Sequence, residues 1–228
     1  RHGFAATARL TRHAGSGQNC RVLLPNVSTR GRLLVATPPL DDPNFDRTVV
    51  YMLEHHDLGA VGVVLNRPGA PIDELGSRVG VRSDSDSDAA ADAGAGDLDS
   101  WLAIVSPPST IFLGGPVGDD SLIAVASGRG RDDAGWGTVT DSLGAVDLSW
   151  PPDEVAEHID ALRVFQGYSG WGPGQLEDEI AAGGWMVFDA EPDDVFTTTP
   201  STLWREVVRR QGGGLRWIAD APDDLSAN

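Results

Sequence analysis

Lysine is absent from the sequence, and all 17 basic residues among its 228 residues are arginine. Without lysine the chain has no Walker motif, because the lysine of that motif contacts the phosphates of the nucleotide. Cys20 is the single cysteine, which excludes an intramolecular disulfide and a cysteine-rich zinc site. This cysteine usage fits a reducing compartment, and we expect a cytoplasmic protein.

Long apolar runs are also missing. No segment approaches the roughly 18 apolar residues that a membrane-spanning helix requires, so the sequence predicts no membrane contact. The first residues lack the apolar core of a secretory signal. They are rich in arginine and free of acids, as in an organelle transit peptide, but we favour a disordered extension.

Charge is abundant and unevenly distributed. Residues 1–32 contain six arginines and no acid, whereas the rest of the chain carries 11 arginines against 34 acids, a formal charge of −23. Such a body repels nucleic acid, so direct nucleic-acid binding is expected only of the arginine-rich arm, residues 1–30. Residues 82–100 contain six Asp and four Ser, which predicts a disordered acidic insertion. We interpret this insertion as a solvated loop; binding of a basic partner is the alternative.

Short apolar runs bounded by Gly, Pro or Asp predict strands in most of the chain. The best hairpin signal is "RTVVYMLEH" and "AVGVVLN", two runs rich in β-branched residues that are separated by "HDLG". The other predicted strands are "RLLVAT", "WLAIV", "TIFLGGPVG", "SLIAVASG", "GWGTVT", "GAVDLSW", "RVFQGY" and "GWMVFDA".

Helices are predicted at four places. A short one begins near Pro71, and the clearest follows "PPDEV", where Val155, Ile159 and Leu162 share a face. Two more are predicted at residues 173–182, with Pro173 at the first helical position, and after Pro200. Strands dominate the first two thirds and alternate with helices afterwards, which favours a mixed α+β domain spanning residues 31–228.

Three separated blocks resemble the signature blocks of the AlgH/YqgE family of bacterial proteins. They are "GRLLVATPPLDDPNFDRTVVYMLEHHDLGAVGVVLNRP", "FLGGPV" and "RVFQGYSGWGPGQLEDEIAAGGWMV". The resemblance covers roughly residues 31–226 without the acidic insertion. It implies an α+β fold in which a strongly bent, bifurcated sheet forms a pseudo-barrel with a few flanking helices. It implies a proposed link to transcriptional regulation, but no established active site. The arm and the insertion are not part of the family pattern.

The segment "GYSGW" is close to the nucleophile elbow of hydrolases, with Trp171 where the second small residue should stand. In that fold a histidine follows the nucleophile, and no histidine follows Ser169. His158 lies upstream and suits only an unrelated arrangement. We therefore expect a structural turn that leads into a helix, whose acids at 177–179 complement the helix dipole.

"EHHD" at 54–57 is the densest set of metal-ligating side chains. In an extended strand each face presents two of the four, fewer than the three or four ligands that zinc requires. The sequence therefore predicts a solvated strand end, with neither metal nor cofactor.

Two classes of function are consistent with the sequence. A binding or regulatory module that contacts a protein or a small ligand is favoured, because no nucleophile, base and orienting group can be assembled. The alternative is an enzyme, such as a hydrolase, with a site near Arg67, Tyr168 and Glu177; its reaction is not indicated. The candidate ligand or contact residues for either class are Asn66, Arg67, Gly114, Gly115, Tyr168, Trp171, Gln175 and Glu177.

Overall fold

A strongly curled ten-stranded sheet dominates the computed structural model, which describes residues 28–38, 44–72, 98–129 and 135–220. The predicted arm lies outside these residues except for its last three, and the predicted insertion except for residues 98–100, which begin a helix. Residues 73–80 of the helix predicted near Pro71 also lie outside. The curled sheet with its few helices is the α+β pseudo-barrel that the family resemblance implied.

Nearly all strand pairs in the sheet are antiparallel. The order is β10-β1-β2-β3-β9-β6-β8-β7, while β5 pairs in parallel with β9 and antiparallel with β4. The strands are β1 (Arg32–Ala36), β2 (Val49–His56), β3 (Gly59–Val64), β4 (Pro68–Pro71), β5 (Thr110–Leu113), β6 (Val117–Gly128), β7 (Trp136–Thr138), β8 (Leu143–Val146), β9 (Ile159–Trp171) and β10 (Trp185–Asp189).

Strand β9 joins the two halves of the sheet. Its first part pairs with β6, and its last residues pair with β3, where Ser169 lies opposite Gly62. Gly167 lies between these two stretches and has a φ of 68°, a left-handed conformation that glycine adopts without steric cost. The sheet therefore bifurcates at this point of β9.

The helices are short and cover both faces of the sheet. Helix α5 buries one apolar stripe in the main core on the concave side, and α3 covers a second core formed by the other face of β1, β2, β3 and β10. The described helices are α1 (Leu98–Leu102), α2 (Pro152–Val155), α3 (Gln175–Ala181), α4 (Pro192–Val195), α5 (Leu203–Arg210) and α6 (Leu215–Ala219).

Three local predictions were wrong. The run "WLAIV" begins within α1 because its Trp101 is fully buried and donates its indole N–H to the carbonyl of Trp150 at 3.0 Å. The helix after "PPDEV" ends early, since Ile159 and Leu162 pair with β6 as part of β9. Pro173 precedes α3, whose N-cap is Gly174 with a φ of 75°. Short apolar runs do not distinguish helix from strand, and tertiary pairing decides.

Candidate functional site

The three sequence blocks meet at one place, where their backbones are joined by hydrogen bonds. The N–H of Leu113 donates to the carbonyl of Arg67 at 2.8 Å, and the N–H of Val64 donates to the carbonyl of Gly114 at 2.9 Å. Gly114 in turn donates its N–H to the carbonyl of Gln166 at 2.8 Å. We call this crossing of β3, β5 and β9 the junction.

Glycine is required at the junction because three backbones pass each other closely. A Cβ added to Gly114 would lie 2.2 Å from the carbonyl oxygen of Gly167. A Cβ on Gly115 would lie 2.3 Å from the carbonyl carbon of Tyr168. Both distances are far below van der Waals contact, so the two predicted site glycines serve the packing of the fold.

Ser169 lies inside the junction and has a structural role. The side chain is fully buried, and its hydroxyl donates to the carbonyl of Gly114 at 3.2 Å. A nucleophile must reach its substrate, and this hydroxyl faces a backbone carbonyl inside the protein. The hydroxyl thus has a structural role, but the five residues of "GYSGW" belong to β9, and the turn into the helix follows at residues 172–174.

Asn66 fixes the loop that precedes β2. Its carboxamide oxygen accepts the N–H of Val49 at 2.9 Å, and its amide group donates to the carbonyl of Arg47 at 2.8 Å. Arg47 has a φ of 49°, which is uncommon for a residue with a side chain. Asn66 therefore holds a strained turn in place, while its neighbour Arg67 is half-buried.

Trp171 lies beyond the junction in a buried aromatic cluster. Its ring packs against Phe45 and edge-on against Trp185, with centroid distances of 6.3 and 6.0 Å. The indole N–H groups of Trp171 and Trp185 both donate to the same carboxylate oxygen of Glu179, at 2.9 and 2.8 Å. Glu179 on α3 thus accepts hydrogen bonds from two indole N–H groups that would otherwise be buried without a partner.

Gln175 completes this arrangement at the start of α3. Its amide group donates to the second carboxylate oxygen of Glu179 at 2.9 Å, and its carboxamide oxygen accepts the N–H of Gly172 at 3.0 Å. The sequence analysis named Gln175 and missed Glu179. The available signal was the spacing of four residues, which places Glu179 one turn after Gln175 on the same face of a helix.

Glu177 points to a different partner, His55 on β2. The Nε2 atom of His55 lies 2.9 Å from the Glu177 carboxylate, and its Nδ1 atom lies 3.0 Å from both the backbone N and the hydroxyl of Thr29. A backbone N–H can only donate, so Nδ1 is the acceptor and Nε2 carries the proton. Nε2 of His55 therefore donates to Glu177.

This hydroxyl, imidazole and carboxylate series has the composition of a catalytic triad but a different geometry. Thr29 is 1% exposed, and its own N–H occupies the imidazole nitrogen that a base would use to take the hydroxyl proton. The contacts instead tie the segment before β1, the end of β2 and the start of α3 together. We call Thr29, His55 and Glu177 the clasp.

Two more side chains of "EHHD", those of Glu54 and His56, have partners within the fold. Glu54 forms an ion pair with Arg30 at 3.4 Å, and Nδ1 of His56 accepts the N–H of Leu58 at 3.1 Å. Within the described ranges, no group of three or more His, Cys, Asp or Glu side chains could hold a metal ion.

A buried arginine was not anticipated from the sequence. Arg163 on β9 is fully buried, donates to the carbonyls of Val195 and Pro107 at 2.9 and 2.8 Å, and lies over the ring of Phe112. Burial lowers the pKa of its guanidinium to about 10. Arg163 connects β9 with the end of α4 and with the loop before β5, so its role is in the fold.

The clasp predicts how stability depends on pH. The pKa of Glu177 lies below its ordinary value of 4.5, first because of a backbone hydrogen bond at Glu177 itself and then because of His55. A lowered folded-state pKa adds stability above the unfolded-state pKa, and this contribution is lost as the pH falls through the folded-state pKa. Wild type should therefore exceed Glu177→Gln in stability at neutral pH, and the difference should shrink below the ordinary glutamate pKa. Urea unfolding of both proteins between neutral and acidic pH measures it; a difference independent of pH would contradict the prediction.

The predicted site residues thus form two groups. Asn66, Arg67, Gly114, Gly115 and Tyr168 surround the junction, while Trp171, Gln175 and Glu177 belong to the aromatic cluster and the clasp. Outside the junction, Leu113 and Val117 are 47% and 39% exposed, and Tyr168 lies half-buried opposite Val117. We call Leu113, Val117 and Tyr168 the apolar patch.

The fold is a curled, bifurcated sheet with a glycine-rich junction between its two halves. Comparisons with known proteins show which family has this fold. A family model described as AlgH-like matches residues 33–216, and the chain belongs to this family. It is 46% identical over 207 residues to a UPF0301 protein of Streptomyces coelicolor, which covers 88% of this chain and 96% of that one. A UPF0301 protein of Thermobifida fusca is 40% identical over 216 residues, 90% of this chain and 98% of its own.

Solved structures show the same fold. The crystal structure of a Corynebacterium diphtheriae protein matches with a TM-score of 0.71 at 25% identity, covering 90% of this chain and 99% of that one. The solution structure of the AlgH protein from Pseudomonas aeruginosa matches with a TM-score of 0.60 at 22% identity, again over 90% and 99%. No helix in the described part of the chain is long and apolar enough to cross a membrane.

Proposed function

We propose that this AlgH-like protein is a cytoplasmic binding module that contacts a partner protein through the apolar patch. The observation that carries the proposal is the convergence of the three blocks on a rigid junction, with apolar side chains left exposed outside it. A contiguous group of exposed apolar residues on a protein surface marks an interaction site. Any regulatory role, including one in transcription, then acts through that partner.

The polar atoms near the junction support contact over catalysis. Ser169 and Asn66 use their hydrogen-bonding groups on backbone atoms, and Gln175 uses its own on Glu179 and Gly172. Glu177 is bound to His55 in the clasp. An enzyme needs groups that are placed to meet a substrate, whereas these groups stabilise the fold.

The net charge supports a protein partner over DNA. The chain carries a formal charge of −17, and its excess of acids lies after residue 32. DNA phosphates are repelled by such a surface. The single cysteine, Cys20, is consistent with a cytoplasmic location.

Site-specific photo-crosslinking in cells tests the proposal. A benzophenone amino acid placed at Leu113 should give a discrete cross-linked product of higher mass, because Leu113 is exposed within the apolar patch. The matched control is Leu58, which is 80% exposed in the β2–β3 turn and lies outside the patch. The same products from both positions, or none from Leu113, would contradict contact through the patch.

A further inference from the structure

A shallow, open groove lies between β2 and β3 on one side and β6, β7 and β8 on the other. Its volume is about 990 Å³, which is large enough for a small organic molecule. The lining includes Val61, Ile123, Val139 and Ala145, all of them half-buried. None of the residues of the apolar patch lines it. We call this cavity the barrel groove.

Gly137 in the barrel groove has no structural explanation within the described residues. It is the middle residue of the three-residue strand β7, where glycine costs conformational entropy. A Cβ added to it would find nothing nearer than the carbonyl oxygen of Ala145 at 3.9 Å. Gly144, on the neighbouring strand, differs, because its Cβ would lie 2.2 Å from the ring of Trp136. The missing side chain of Gly137 therefore leaves space open to the groove.

The charges at the rim favour a cation over an anion. Arg30 forms an ion pair with Glu54 at 3.4 Å, and its Nη2 atom also contacts the carbonyl of Thr138, so the charges of Arg30 and Glu54 offset each other. Asp147 also lines the groove and is ionised at neutral pH, and hydrogen bonds from Ser149 lower the pKa of its carboxyl group further. Two carboxylates and one guanidinium leave a net negative charge.

Strand β7 and its neighbouring strands form a wall of the barrel groove that suits the flat, apolar part of a ligand. The apolar side chains of Val61, Ile123 and Val139 lie in the same cavity. A ligand there would bury its apolar body against these residues and keep its charge near Glu54 and Asp147.

We propose that the barrel groove binds a small apolar cation: a planar or alkyl body that lies over Gly137 and Ala145, with a positively charged nitrogen near Glu54 and Asp147. This site is separate from the apolar patch, so it does not depend on the proposed protein contact. Its ligand class follows from the shape of the groove and the charge of its rim.

Fluorescence titration of the full chain tests the proposal with two probes of opposite charge. Thioflavin T is an apolar cation, and 1-anilinonaphthalene-8-sulfonate is an apolar anion of comparable size. At about 0.15 M salt, where the Debye length is about 8 Å, attraction to the remote acids is screened. We expect saturable binding of thioflavin T at one site, and weaker binding of the anion.

Three variants make the result specific. Gly137→Leu places a side chain in the groove at a position where the Cβ meets nothing nearer than 3.9 Å, and it should weaken thioflavin T binding by about tenfold or more. Asp147→Asn should weaken it about threefold, as expected for an exposed charge. Gly214→Leu, at a position where an added Cβ meets nothing within 4 Å, is the control and should bind like wild type.

Several outcomes would overturn the proposal. These are tighter binding of the anion, the absence of saturation with thioflavin T, and equal thioflavin T binding by wild type and Gly137→Leu. Size-exclusion chromatography of the same samples identifies another occupant. If wild type is a dimer and Gly137→Leu is a monomer, a second copy of the chain fills the groove and the small-molecule proposal is wrong.

Discussion

Replacing Trp171 with alanine is expected to lower the free energy of unfolding by about 3 kcal/mol. The side chain is 6% exposed and packs against Phe45 and Trp185, so its removal leaves a cavity between the sheet and α3. It also removes one of the three donors that hold the Glu179 carboxylate. Both losses destabilise the folded state and so lower the free energy of unfolding.

Ser169→Ala is the matched comparison for Trp171→Ala, because the two residues lie at the same end of β9. Ser169 is also buried, but its replacement by alanine removes only the hydroxyl group, which donates to the carbonyl of Gly114. We expect a cost of about 1 kcal/mol. Urea unfolding of both variants gives the two free energies. If Trp171→Ala costs less than about 1 kcal/mol, the segment is not a structural turn, and a binding role for the Trp171 ring gains support.

Gly114→Ala is expected to destabilise the protein by about 3 kcal/mol or more. The added Cβ would lie 2.2 Å from the carbonyl oxygen of Gly167 and 3.1 Å from the Cβ of Phe165. Relief requires β5 and β9 to move apart, and that movement lengthens the hydrogen bond from Gly114 to Gln166. A backbone oxygen cannot rotate away as a flexible side chain can.

Gly137→Ala is the control for Gly114→Ala. Both variants replace glycine with alanine; Gly114 directly follows β5, and Gly137 lies within β7. The added Cβ at Gly137 meets only the carbonyl oxygen of Ala145 at 3.9 Å. We expect its stability to be unchanged or raised by up to about 1 kcal/mol, because the unfolded chain loses conformational freedom. Equal unfolding midpoints for the two variants would show that the junction tolerates expansion, contrary to the close approach described above.

The turn predicted for "GYSGWGPGQLEDEI" is shorter than expected, because "GYSGW" belongs to β9, and Tyr168 is only half-buried. Pro173 does not begin the helix; Gly174 intervenes with a φ of 75° and serves as the N-cap. The left-handed residue turns the chain so that Gln175 can bind both Gly172 and Glu179. The sequence indicated a turn here because glycine and proline are its local determinants.

The sequence by itself determined most of the strand segments, the acidic character of the body and the family. Alternation and β-branched composition are local signals, so the hairpin of β2 and β3 could be predicted from residues 48–66 alone. The family blocks were recognisable for the same reason, since each is a continuous stretch of chain. The boundary between strand and helix after "PPDEV" was not recognisable, because pairing with β6 overrides the local helical pattern.

Only the tertiary structure decided which distant residues meet. His55 and Glu177 are separated by 122 positions, and Arg163 contacts the carbonyl of Pro107 across 56. Which segments become neighbours depends on the order and curvature of the strands, and no local pattern carries that information. The same curvature opens the barrel groove beside Gly137, whose empty surroundings are a property of the folded sheet and cannot be inferred from a glycine in the sequence.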